Sequence, residues 1–121
     1  MMSAKLPQVR LRHIIDSIDG IVEATAGLEA SKITGSFVLM RALERSVQII
    51  SEACKELPAE RRASEPAMPW SDIIGIGNIL RHEYHRVRDE TLLDILVVHL
   101  PALRRVATTM LQRLEPDRSS G

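Results

Sequence analysis

The chain has 121 residues, enough for one hydrophobic core with no disulfide or structural metal. Its 16 basic and 16 acidic side chains cancel, so overall charge steers it toward neither nucleic acid nor an anionic membrane, and any such binding must come from a local patch. Aromatic residues make up 2% of the chain, so Leu, Ile, Val, Ala and Met must fill the interior, while the single cysteine, Cys54, excludes an intramolecular disulfide and a cysteine-based zinc pattern.

The opening residues, Met1-Met2-Ser3-Ala4-Lys5-Leu6-Pro7, carry no signal-peptide core, and no apolar run reaches membrane-spanning length. A soluble, cytoplasmic protein with no membrane partner is the expectation. Beyond Pro7, Leu11, Ile14, Ile15, Ile18, Ile21 and Val22 recur at helical spacing with Arg10, Arg12, Asp16, Asp19 and Glu23 between them. This predicts an amphipathic first helix ending near Gly27, with His13 in a structural or solvated role. Residues 28–35 are expected to form a turn or frayed connection, because Ser31, Thr34, Gly35 and Ser36 supply cap and breaker chemistry.

Met40, Leu43, Val47, Ile50, Cys54 and Leu57 then step by three and four, the most regular core stripe in the chain. Cys54 lies in that stripe and reads as a small buried hydrophobe. Residues 58–69 hold prolines at 58, 66 and 69 among charged side chains, so the second helix is expected to end there and an extended polar crossover to follow.

Pro69 and Trp70 open a third helix predicted to run to Arg88, with Asp72 complementing its dipole and Trp70 anchoring its start against the core. At about 100° per residue, Ile73, Ile76, Leu80 and Val87 fall on one flank. Arg88, Arg81, His85, Asn78, His82 and Arg86 fan across the other as a cationic, titratable strip, with Tyr84 near the boundary. After Asp89-Glu90-Thr91, Leu92 to Leu114 carry a last long helix that Pro101 interrupts, and a kink is expected because the apolar spacing continues on both sides. The sum is one all-α domain over residues 1–114, an up-and-down bundle of four to five helices with a kinked long C-terminal helix. Residues 115–121 are expected to form a flexible tail.

Several chemistries fail on spacing. His82-Glu83-Tyr84-His85 puts its two histidines three apart, where a zinc metalloprotease helix needs four. Gly75-Ile76-Gly77 lacks the third glycine and the preceding strand of a dinucleotide-binding turn, and no phosphate loop, nucleophile elbow or clustered-carboxylate metal site occurs. Neither cofactor nor metal is expected. What survives is acid–base chemistry on a phosphodiester, with His82 moving a proton and Arg81 or Arg88 holding the phosphate. RNA permits this without a metal, because its own 2′-hydroxyl is the nucleophile. Residue chemistry alone leaves a second reading open, a merely solvated helix face.

Three linked runs tip the balance toward the first reading: 50–58 with Ser51-Glu52-Ala53, 66–75 with Pro69-Trp70-Ser71-Asp72, and Asn78-Ile79-Leu80-Arg81-His82-Glu83-Tyr84. Their order and spacing, together with Leu100-Pro101-x-Leu103 in the last helix, resemble the HepT-like family of the HEPN superfamily. The resemblance implies an all-helical homodimer whose motif helices face each other across a cleft. It implies a metal-independent endoribonuclease toxin, silenced by a minimal nucleotidyltransferase antitoxin that transfers AMP to the motif tyrosine. The family pattern is Arg-Asn-x-x-x-His-x-Tyr. Asn78, His82 and Tyr84 match it as the Asn, the catalytic His and the modifiable tyrosine. The Arg position is Gly77 here, and glycine cannot replace a bidentate phosphate clamp. Arg81, one turn on, is the candidate relocated cation, with His85, Arg86 and Arg88 as further RNA contacts. The family's usual Gly before Glu-Ala is Ser51. The alternative, prompted by Gly77, is a catalytically inactive module that only dimerises and binds its nucleotidyltransferase partner.

Overall fold

The structure is a computed structural model and describes residues 6–114. The described residues are helical with connecting turns and contain no strand. Helix α1 (Pro7–Thr25) buries Leu11, Ile14, Ile18 and Ile21, the stripe expected from spacing, and stops before Gly27, whose φ of 77° reverses the chain in a region that glycine tolerates. Helix α3 (Phe37–Lys55) begins at Ser36, whose hydroxyl accepts the Leu39 backbone N–H at 3.1 Å, and buries Met40, Leu43, Val47, Ile50 and Cys54. It is the central element of the bundle: α1 packs along one side of it and α5 (Trp70–Glu83) along another, while α7 (Leu100–Leu114) closes on α1. Arg104 ties that last contact from outside through two hydrogen bonds to Asp19, 2.6 and 3.0 Å long, which hold the Asp19 carboxyl below its ordinary range. No helix is long and apolar enough to cross a membrane among the described residues.

Two connections differ from expectation. Residues 28–35 contain a short helix, α2 (Ala30–Thr34), fixed by burial of Ile33. The crossover after α3 also folds, as α4 (Ala59–Ala63), because Ala, Glu and Arg are strong helix formers and Pro58 stands at the N-cap, where its missing donor costs nothing. The prolines therefore bound a helical turn and do not enforce an extended path.

The third helix is shorter than predicted. It ends at Glu83, and Tyr84–Arg86 form a 3₁₀ turn before Val87 turns extended. The chain must redirect here so that α6 (Asp89–Asp94), with two acidic residues in its first turn, can start on a new axis and bury Leu92. The last helix runs on from α6 without a break. Its interruption is a π turn at Ile95–His99, in which the Leu100 N–H reaches back five residues to the Ile95 carbonyl. Widening the coil just before Pro101 accommodates a ring that would otherwise crowd the carbonyl four residues earlier. The expected tail, residues 115–121, lies outside the described residues.

Candidate nucleic-acid interface and acid–base site

Helix α5 is inserted against α3 by its buried residues Gly77 and Leu80, and this sets what the opposite side shows. Asn78, Arg81 and His82 are all exposed. At about 100° per residue Asn78 lies between the other two, so the three form one continuous patch. His82 has no hydrogen bond or ion pair to any described residue and presents its ring to solvent. Arg81 and Asn78 also stand at a cleft of about 650 Å³ between α3, α4 and α5, whose walls include Glu52, Lys55, Arg62 and Trp70. The Trp70 indole N–H donates to the Glu65 carbonyl at 3.1 Å, and the ring packs on the core at the start of α5, as expected.

The cationic strip is not the uninterrupted face that a helix to Arg88 would make. Ending α5 at Glu83 removes Tyr84, His85, Arg86 and Arg88 from its helical register. All three of its guanidinium groups are also paired. Arg81 Nη2 donates to Glu52 Oε1 on α3 at 2.8 Å, Arg86 donates to Glu83 at 2.8 Å, and Arg88 lies 3.5 Å from Glu90. Sequence periodicity could not reveal the Glu52 contact, because the partners are 29 residues apart and meet only through the α3–α5 packing. Both partners are about half exposed, 48% and 44% for their side chains, and such pairs are worth about 1 kcal/mol or less. The pair is therefore weak enough for a competing anion to take the place of the carboxylate. Tyr84 is 56% exposed, its ring edge-on to His85 with centroids 6.0 Å apart, so its hydroxyl is reachable from outside.

Gly77 carries the most informative contact in the site. A Cβ placed there would lie 2.3 Å from Ser51 Cβ and 2.7 Å from Ser51 Oγ. Ser51, itself buried, donates its hydroxyl to the Ile73 carbonyl at 2.7 Å. The two helix backbones thus touch where the family motif would place an arginine, and Ser51 occupies the space. Cys54, one turn beyond Ser51, is fully buried, and burial pushes its thiol up to about 12 against an opposing pull from Arg62. That excludes it as a nucleophile near neutral pH. No three His, Cys, Asp or Glu side chains cluster as a metal site would require among the described residues.

Asn78, Arg81 and His82 thus form an exposed patch, its Asn and Arg beside a cleft, on a helix pinned to the bundle centre. The sequence profile of that family, described as Ribonuclease HepT-like, matches residues 14–110. The chain belongs to the HepT-like family. Among relatives, a provisionally named RNase from Caldanaerobacter subterraneus subsp. tengcongensis, TTE0752, is 32% identical over 109 residues, covering 90% of this chain and 97% of that protein. A second, MJ1380 from Methanocaldococcus jannaschii, also provisionally named an RNase, is 25% identical over 104 residues, covering 86% of this chain and 95% of that protein. No solved structure matches significantly. Family membership supports a ribonuclease-type function for this HepT-like chain, on the fold described above.

Proposed function

We propose that this HepT-like protein is a metal-independent endoribonuclease and the toxin of a toxin–antitoxin pair. The observation that carries the reading is the shared exposed face of Asn78, Arg81 and His82, of which Asn78 and Arg81 line the α3–α4–α5 cleft. In the proposed reaction the substrate's 2′-hydroxyl attacks the adjacent phosphorus, a P–O2′ bond forms and the P–O5′ bond breaks. One group takes the 2′ proton and another protonates the departing 5′ oxygen, leaving a 2′,3′-cyclic phosphate and a 5′-hydroxyl. His82 performs one of these transfers. Arg81 exchanges Glu52 for a phosphate oxygen and stabilises the charge that develops there, and Asn78, between them, orients the phosphodiester.

A homodimer supplies what one chain lacks. Two facing copies bring a second imidazole for the second proton transfer and double the local positive charge. Val97 and Val98 on the last helix, 63% and 53% exposed, are apolar surface available for such a contact. RNA and its all-deoxy counterpart, incubated in EDTA, test the reaction directly. Cleavage of the RNA alone, with cyclic-phosphate ends, is the expected result, and equal cleavage of the DNA would exclude attack by the 2′-hydroxyl.

Silencing by a minimal nucleotidyltransferase follows the same geometry. The Tyr84 oxygen attacks the α-phosphate of ATP, the phenolic proton and pyrophosphate leave, and the attached AMP adds an anionic group just beyond the end of α5, where it competes with RNA. Co-expression with a minimal nucleotidyltransferase is expected to raise the intact mass in AMP-sized steps, and Tyr84→Phe to abolish them. An unmodified mass, or adducts that persist in Tyr84→Phe, would contradict this. Two observations favour the second reading, a catalytically silent module: Gly77 offers no side chain and Arg81 is already held by Glu52. That reading keeps the adducts and loses the cleavage.

A further inference from the structure

The cleft beside the patch holds two cations that the proposed reaction does not use. Lys55 sits in the last turn of α3 and Arg62 on α4, and both line the cleft with Arg81. The carboxylate among its lining residues, Glu52, is engaged by Arg81. Arg62 is the unusual member: its Nε is buried and has no hydrogen-bond partner among the described residues. No carboxylate among the described residues pairs with Arg62, so the charge of its guanidinium, which lines the cleft, is left for an oxyanion there. Trp70 and Ile74 add apolar surface to the same cleft. The indole N–H is spent on Glu65, leaving Trp70 only its ring to offer, as a surface for a base.

We propose that Lys55 and Arg62 form a second phosphate subsite, which takes the phosphodiester of a neighbouring nucleotide of single-stranded RNA while Asn78, Arg81 and His82 address the scissile one. This rests on the ribonuclease reading for the choice of ligand. The subsite is continuous with the patch because Asn78 and Arg81 belong to both. Its volume lies within the roughly 300–1,000 Å³ range of ligand sites, enough for one nucleotide unit and too little for a duplex.

The test uses the full-length protein and a fluorescent 2′-O-methyl RNA oligonucleotide, which binds but lacks the nucleophile, titrated across a salt series. Arg62→Gln and Lys55→Gln are each expected to weaken binding about tenfold at low salt and to reduce the slope of log affinity against log salt by about 0.7, the loss of one phosphate contact. Arg62→Lys is expected to keep the slope, and circular dichroism to be unchanged in all three. Affinity and slope unmoved by both glutamine substitutions would overturn the subsite, as would AMP alone binding as tightly as the oligonucleotide. The two readings fail separately. Arg62-dependent binding by a protein that never cuts RNA would end the nuclease reading and keep the subsite, whereas active cleavage with binding indifferent to Lys55 and Arg62 would do the reverse.

Discussion

Gly77→Arg, made alone to restore the family's motif arginine, is expected to destabilise the protein and not to activate it. Any Cβ at position 77 lands 2.3 Å from Ser51 Cβ, well inside contact distance, so even Gly77→Ala must push α5 off α3. Overpacking of this kind costs about 1–3 kcal/mol. Losing the Ser51 hydrogen bond to the Ile73 carbonyl adds about 1 kcal/mol, offset by the better helix propensity of alanine, also about 1 kcal/mol. For a domain of this size the net change lowers the melting temperature by roughly 5–10 °C. The remedy lies on the other helix. With Ser51→Gly present, the two close contacts of the new Cβ are gone and the Cα of residue 51 at 3.7 Å is an ordinary contact, so the double variant is expected to recover most of the loss. A thermal double-mutant cycle over the four proteins measures this, with a coupling of more than about 1 kcal/mol expected. Gly77→Arg melting within 2 °C (roughly 0.5 kcal/mol) of the parent would show that the helices are not locked at this point.

The same contact links the two positions, 51 and 77, at which the chain departs from the motif that the resemblance implies. They form one packing contact between α3 and α5, and an arginine at 77 has no room while Ser51 is present. Arg81, one turn further along α5, is where a guanidinium still reaches the cleft.

How much of this was legible beforehand follows from what periodicity measures. The stripe from Met40 to Cys54 and the one from Leu11 to Ile21 report burial along single helices, and those helices stand where the spacing put them. Helix α2 and helix α4 were not legible, because each is five residues long, too short for a period and held by flanking contacts. The end of α5 was missed because Val87 keeps helical spacing with Leu80 while the backbone between them changes course at Glu83. The Glu52–Arg81 pair and the Ser51–Gly77 contact depend on which helices become neighbours, and no pattern within one helix carries that. Motif resemblance supplied what periodicity lacked. It marked Asn78, His82 and Tyr84 as candidates, and the structure places the first two on one exposed face and Tyr84 exposed just beyond the helix end.

The second large effect is expected at His82. Its ring is exposed and contacts no described residue by hydrogen bond or ion pair, so His82→Ala removes little packing and is expected to leave the melting temperature unchanged to within a degree or two. General acid–base catalysis by a positioned side chain contributes about 10²–10⁴-fold, and the variant should lose that much in kcat. Arg81→Gln separates the roles, since loss of a phosphate clamp acts on affinity as well as rate and lowers the salt dependence of binding, which His82→Ala does not. Stability and activity therefore come apart at His82, whereas a substitution at Gly77 is felt in stability.

The most direct measurement is the single-turnover cleavage rate of one defined RNA in EDTA, for parent and His82→Ala proteins of matched melting temperature. The account predicts cutting by the parent and a rate at least a hundredfold lower in the variant. Equal rates in the two proteins would contradict it.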